Sequence, residues 1–331
     1  MTGDRVRQMP LNDVLTLSVI VPMFNEEAVL PAFFTRLEKT LAELGVTYEI
    51  ICVNDGSRDG TQQLLTEAHA RDPRIRVLNF SRNFGKEIAL TAGLDHARGA
   101  AVVPIDADLQ DPPELIAEFL QRWREGFDVV LGVRRNRNSD TWTKRISAST
   151  FYRVLNKMAR IQIPANAGDF RLMDRRVVDT LHGVRERQRF MKGLFAWVGF
   201  RQCEVSYVRP ERSAGASKFN YWGLWTFALD GITGYSTVPL HVAGYLGTLT
   251  ALAALLYGIY LVVRTLLFGT DVPGYTSTMV AVLFLGGVQL TVLGIMGEYL
   301  GRVHEETKHR PLYIVESALG WSPQELSTCG E

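Results

Sequence analysis

Two uncharged stretches constrain this 331-residue chain more than anything else in it. Leu240 to Val263 and Tyr275 to Gly297 hold no Asp, Glu, Lys or Arg. At about 1.5 Å per residue, a helix over either exceeds the roughly 30 Å hydrocarbon thickness of a bilayer. Two buried core helices are the alternative, but core helices of this length are rarely apolar all round. The sequence therefore predicts two membrane spans, joined by a short segment holding Arg264, Asp271, Pro273 and Gly274. Arg302, Lys308 and Arg310 follow the second span, and the bias of basic residues toward the cytoplasm puts that end inside. With two spans, both termini share that side. Phe219 to Ser236 is rich in aromatic residues with only Asp230 charged, as suits a helix at headgroup level.

The residues before these spans follow a different pattern. Residues 1–15 are polar, lack the apolar core of a signal peptide, and are expected to form a mobile tail. Short apolar runs then alternate with helical patterns. Leu17–Pro22, Tyr48–Val53, Ile75–Phe80 and Ala100–Ile105 read as strands; helical patterns run from Met23 to about Leu44, Thr61 to His69, and from about Lys86 through Ala97. Phe127–Val133 and Gln202–Arg209 read as further strands. This alternation predicts an α/β fold around a mostly parallel sheet flanked by helices, with ligands at the carboxyl ends of the strands. The expected domains are a cytosolic α/β catalytic domain over 16–210, a mobile loop and juxtamembrane helix over 211–238, two transmembrane helices over 239–300, and a cytosolic tail over 301–331.

A net charge of +1 gives no global field for nucleic acid. Cys52, Cys203 and Cys329 have no metal-ligand spacing and suit a reducing compartment. No Gly-X-Gly-X-X-Gly or Gly-Lys-Ser/Thr loop follows a strand, which argues against a dinucleotide enzyme or a P-loop NTPase. What does stand at the strand ends is polar: Pro22 with Phe24, Asn25 and Glu26, then Asp55, then Asn83 with Lys86, then Asp106 and Asp108. Asp106 and Asp108 straddle one residue where a strand meets a loop, and Gln110 follows. Oxygen donors in this arrangement suit Mg²⁺ or Mn²⁺, which bridge carboxylates to substrate phosphates. Taken singly, each residue also suits an ordinary turn or helix cap; four such groups at successive strand ends point to a nucleotide.

In this order, Val-Pro-Met-Phe-Asn-Glu-Glu, Asn-Asp-Gly-Ser, Asn-Phe-Gly-Lys and Asp-Ala-Asp-Leu-Gln-Asp-Pro-Pro resemble family 2 glycosyltransferases of the GT-A fold, in the branch that glycosylates polyprenyl phosphates. The likeness runs from Leu17 to Val315 and includes the two-span carboxyl-terminal part. It implies that Pro22, Phe24, Asn25, Glu26 and Asp55 line the nucleotide pocket, that Lys86 lies near the diphosphate, and that Asp106, Asp108 and Gln110 hold the metal. It places acceptor-phosphate binding at Arg134, with Lys144, Arg145 and Ser147 as helpers; a solvated basic surface is the plainer account of that cluster. Arg212, Ser217 and Lys218, in a segment that also reads as a linker, would contribute to the diphosphate.

Gly168-Asp169-Phe170-Arg171-Leu172-Met173 matches the family's next motif, with Asp169 in its catalytic position. Asp169, Asp108 and Arg134 are thus the expected catalytic residues. A phosphate monoester, with its second pKa near 6, arrives largely ionised, so Asp169 is expected to orient substrate more than to remove a proton.

The expected reaction is inverting, metal-dependent transfer of one sugar from a nucleoside diphosphate, UDP-glucose first among candidates, to a polyprenyl phosphate, undecaprenyl phosphate first among these. Mannose, galactose, a modified arabinose and N-acetylhexosamine stay open as the sugar. The expected setting is a bacterial inner membrane, with the product serving cell-envelope or lipopolysaccharide modification. The resemblance also implies a homo-oligomer, a tetramer by analogy, with a flippase and a second glycosyltransferase downstream. A processive polysaccharide synthase and a catalytically silent membrane scaffold are the alternatives. The first needs a Gln-X-X-Arg-Trp motif and more spans than two.

Overall fold

The structure, a computed structural model, describes residues 15–134, 167–187, 189–208, 237–269, 274–322 and 325. These fall into two compact units, one containing the described residues up to 208 and from 310 onward, the other containing residues 237–309.

The first unit is an α/β domain. In chain order its elements are β1 (Leu17–Met23), α1 (Leu30–Leu44), β2 (Tyr48–Asn54), α2 (Thr61–Arg71), β3 (Ile75–Phe80), α3 (Lys86–His96), β4 (Ala101–Pro104), α4 (Leu115–Arg124), β5 (Val129–Arg134), β6 (Ala167–Asp174), α5 (Arg175–His182), α6 (Met191–Trp197), β7 (Gln202–Tyr207) and, far along the chain, β8 (Val315–Leu319). One eight-stranded sheet has the order β7-β5-β6-β4-β1-β2-β3-β8. β1 pairs in parallel with β2 and β4, β2 with β3, and β5 with β7. β6 runs antiparallel to β4 and β5, and β8 antiparallel to β3.

Successive residues of a strand face opposite sides of the sheet, and β1 is apolar on both. Leu17, Val19 and Val21 pack in one core with Phe33, Leu37 and Leu41 of α1, Leu65 of α2, and Ile116 and Phe119 of α4. Ile20 joins the opposite core with Ala89 and Leu90 of α3, Val177 and Leu181 of α5, and Met191 and Leu194 of α6. Helices thus cover both faces, and among the described residues the polar groups of this domain gather at the strand ends. α1 begins later than its apolar pattern suggests, because Asn25 takes a left-handed backbone (φ 56°) and Pro31 occupies the first turn; it stops at Gly45, also left-handed.

Residues 301–331, read as a tail, instead include β8 at the edge of the sheet. Arg76 of β3 anchors the returning chain: its Nε donates to the Gly320 carbonyl at 2.8 Å, its guanidinium lies 3.6 Å from the centroid of the Trp321 ring, and it pairs with Glu49 and Glu325.

The second unit consists of α7 (Val238–Phe268) and α8 (Tyr275–Thr307), two helices long and apolar enough to cross a membrane. Leu266 and Phe268 are 80% and 82% exposed, and most other large apolar side chains of the pair are also open. Water would penalise that exposure heavily, and the chain is membrane-associated.

α3 must lie close on β1 for its amino end to reach the strand ends. Gly93 permits this, since a Cβ there would sit 2.1 Å from Ile20 Cγ2. Gly93→Ala is therefore expected to cost about 1–3 kcal/mol through overpacking, read from chemical unfolding of the detergent-solubilised protein. An unchanged midpoint would contradict this packing.

Candidate active site

The loop after β1 is latched to the loop after β2. Asn25 N–H donates to Ser57 Oγ at 2.9 Å, Arg58 N–H donates back to Asn25 Oδ1 at 2.8 Å, and Glu26 N–H donates to Thr61 Oγ1 at 2.9 Å. Pro22, Phe24 and Glu26 lie half-buried along this edge and Asn25 is exposed.

Asp55, at the end of β2, is buried and spends both oxygens on the next loop: Phe84 and Gly85 donate their backbone N–H groups at 2.6 and 2.9 Å. Burial raises its pKa, an effect those N–H groups only partly offset. The loop approaches closely because Gly56 has no Cβ; one there would lie 2.5 Å from the carbonyl carbon of Arg82. Asp55 thereby fixes the start of α3 and with it Lys86.

Lys86 Nζ lies 2.7 Å from both carboxylate oxygens of Asp106, beyond β4, and 2.9 Å from Asp169 Oδ2, on β6. Burial would lower the ammonium's pKa, but the two carboxylates outweigh it and hold the group above its usual range. Three residues far apart in sequence meet at this point. Asp108 follows in the same loop, where its Oδ1 accepts the Gln110 N–H at 3.1 Å; the turn puts Leu109 at φ 59° and buries Gln110.

Asp169 sits above a charged cluster not anticipated from sequence. Arg171 is buried on the same face of β6, its Nη2 donating to the Gly168 carbonyl at 2.7 Å and its guanidinium 4.0 Å from the centroid of the Phe195 ring; burial lowers its pKa to about 10. Burial would raise the Asp169 pKa, yet Lys86, Lys192 and Arg171 bring it down to about 2. Asp169 Oδ1 is buried with no hydrogen-bond partner among the described residues. Glu87 completes the cluster. Its Oε2 accepts the Met191 N–H at 3.1 Å, and burial, reinforced by the Asp169 charge, raises its carboxyl to about 7.

Arg134 closes the site at the end of β5, with its Nε donating to Tyr207 Oη at 3.3 Å and its Nη2 3.8 Å from Asp111 Oδ1. Neither Asp111 nor Tyr207 was singled out from sequence. Asp111 lies within the Asp-Ala-Asp-Leu-Gln-Asp-Pro-Pro stretch and was the one signal available. Lys144, Arg145, Ser147, Arg212, Ser217 and Lys218 lie outside the described residues.

Among the described residues, no three His, Cys, Asp or Glu side chains are gathered closely enough to hold a metal ion by themselves. Asp106 and Asp108 nonetheless offer hard oxygen donors from one loop, and Asp106 already takes a cationic group at 2.7 Å. That donor set fits a divalent cation whose remaining ligands are water and substrate phosphate.

The family model for Glycosyl transferase family 2 matches residues 18–181, and that for the GtrB C-terminal hairpin matches residues 238–303. An uncharacterised glycosyltransferase of Synechocystis sp. is 56% identical over 92% of this chain and 96% of its own length. A bactoprenol glucosyl transferase of Shigella phage SfV is 48% identical over 92% of this chain and 99% of its own. A prophage bactoprenol glucosyl transferase homolog of Escherichia coli K12 is 46% identical over 91% and 99%. Among solved structures, mannosyl-3-phosphoglycerate synthase of Rubrobacter xylanophilus is similar at 16% identity and a TM-score of 0.48, covering 65% of this chain and 71% of its own. The chain belongs to glycosyl transferase family 2, has the GT-A fold with two apolar carboxyl-terminal helices, and is a glycosyltransferase.

Two expectations follow from the charge cluster. A carboxylate with a pKa of about 2 is a poor base at neutral pH, so Asp169→Asn is expected to lose sugar transfer equally from pH 6 to 9. Recovery of the variant at high pH would contradict this. Glu87 holds its proton more tightly folded (about 7) than unfolded (4.5), so the stability it contributes falls as pH rises from about 4.5 through about 7. Glu87→Gln is expected to flatten that decline in melting temperature; an unaltered pH profile would contradict it.

Proposed function

We propose that the protein transfers a single glucosyl residue from a nucleoside-diphosphate sugar, UDP-glucose first, to a polyprenyl phosphate, with inversion and with the help of a divalent metal. The observation that carries this reading is the convergence of Lys86, Asp106 and Asp169 from three elements at the carboxyl edge of the sheet. The glucosyl and bactoprenol assignments rest on what the relatives from phage SfV and E. coli are named for.

On this reading the loop from Asn25 to Glu26 and the Asp55-anchored turn shape the nucleotide pocket, and Asp106 and Asp108 would hold the metal, with Gln110 as the third candidate. A bound Mg²⁺ or Mn²⁺ supplies charge neutralisation to the departing diphosphate. Lys86 brings positive charge into the same centre. Arg134 holds the acceptor phosphate through its planar fork of N–H donors, which matches the spacing of phosphate oxygens. The acceptor needs no strong base, since a phosphate monoester is largely ionised at neutral pH; Asp169, itself ionised, orients the reacting groups by charge and hydrogen bonding. Backside attack at the anomeric carbon then gives inversion. A role in the inner membrane with both termini cytosolic is supported by the basic residues that follow the apolar stretch of α8; a homo-oligomer passing its lipid-linked sugar to a flippase and a second transferase is carried over from the family resemblance.

The test is a turnover screen of purified protein in detergent with undecaprenyl phosphate, Mg²⁺ or Mn²⁺, and a panel of nucleotide sugars, reading lipid-linked sugar by mass. One glucose per lipid from UDP-glucose is expected, reduced roughly 100-fold or more in Asp108→Asn and by chelation. Chains of several sugars would indicate a processive synthase, and nucleotide binding without any transfer a scaffold.

A further inference from the structure

We propose that Asp111 and Tyr207 are positioning residues that set the Arg134 guanidinium for the acceptor phosphate and couple the Asp106–Asp108 loop to the acceptor side of the site. The inference rests on the reading of Arg134 as an acceptor residue.

Arg134 ends β5 in direct register with Tyr207 on β7, so the two side chains stand side by side at the strand ends. Tyr207 is 5% exposed and its hydroxyl donates to Asp111 Oδ1, on a residue only 2% exposed. The same phenol oxygen accepts the Arg134 Nε–H at 3.3 Å, and Arg134 Nη2 reaches to 3.8 Å from Asp111 Oδ1. The other side of the guanidinium is bounded by Gly168, where a Cβ would stand 3.1 Å from Arg134 Nη2. A phenol, a carboxylate and a bare backbone from three separate elements thus define where the guanidinium lies. The Arg134 side chain stays 29% exposed, and the Asp106 charge also acts on its guanidinium, so it remains accessible to an anion at the edge of the metal loop.

The chemistry of the pair suits orientation better than binding. A buried carboxylate is costly unless it is paired and hydrogen-bonded, and here the phenol and the guanidinium provide both. Burial and the Asp111 charge raise the Tyr207 pKa, so the phenol keeps its proton as donor to Asp111 and accepts from Arg134 throughout the working pH range. Asp111 also lies only a few residues beyond Asp106 and Asp108. Through Tyr207, that loop is joined by hydrogen bonds to Arg134.

The test uses the full-length protein in detergent, with steady-state kinetics in undecaprenyl phosphate and UDP-glucose and a melting temperature for each variant. Tyr207→Phe keeps the ring and loses the hydroxyl. It is expected to raise KM for the polyprenyl phosphate roughly threefold to tenfold, while leaving KM for the nucleotide sugar and the melting temperature near wild type. Arg134→Ala is expected to raise the same KM further, and Tyr207→Phe added to it to do no more harm. Asp111→Asn, which still accepts a hydrogen bond, is expected to fall between wild type and Tyr207→Phe. A Tyr207→Phe variant with a lowered melting temperature but unchanged acceptor KM would overturn the proposal and leave Arg134 as an acceptor residue. A Tyr207→Phe effect that persists undiminished without Arg134 would also overturn it. An Arg134→Ala variant with unchanged acceptor KM would overturn both this proposal and the reading beneath it.

Discussion

The site depends on one ammonium group held between two carboxylates. Asp106 follows β4 and Asp169 lies in β6, strands that pair in the sheet, and their charges would repel if nothing lay between them. Lys86 Nζ, within 2.9 Å of both, removes that conflict. Its position is decided elsewhere. Asp55 captures the backbone at Phe84 and Gly85, Gly56 lets that loop close in, and Gly93 seats α3 against Ile20 of β1. The polar centre is a consequence of how a buried carboxylate and two glycines pack a helix against a sheet.

The charge balance has a chemical corollary. Lys86, Lys192 and Arg171 keep Asp169 ionised, whereas nearby Glu87 tends to hold its proton near neutrality. For an acceptor that arrives as an anion, a permanently ionised Asp169 is suited to orient and not to deprotonate.

Much of this was legible in the sequence. The first four strands are dense apolar runs ending in polar residues, and local periodicity is enough to find them, as it is for the two long uncharged stretches. β6 was not legible because Asp169 and Arg171 interrupt the continuous apolar run that marks a strand buried on both faces. β8 was missed for another reason: Val315–Leu319 is short and polar, and it gains its place by pairing with β3, more than two hundred residues earlier. The same limit applies within the site. Asp106 and Lys86 belong to recognisable motifs, but Tyr207 matters through its register with Arg134 and its bond to Asp111, relations that exist only once the sheet has formed. Glu87 carries no local signal of its contact with Met191 of α6 or of the Asp169 charge on β6.

The most direct test of the account is the single-turnover rate of sugar transfer by Lys86→Met, which keeps the length of the side chain and removes its charge. The expected result is a folded protein, with a melting temperature lowered by the loss of the charge between Asp106 and Asp169, whose transfer rate falls on the order of 100-fold or more. Transfer at the wild-type rate would mean that Asp106 and Asp169 do not share one reaction centre through Lys86, and the site described here would have to be redrawn.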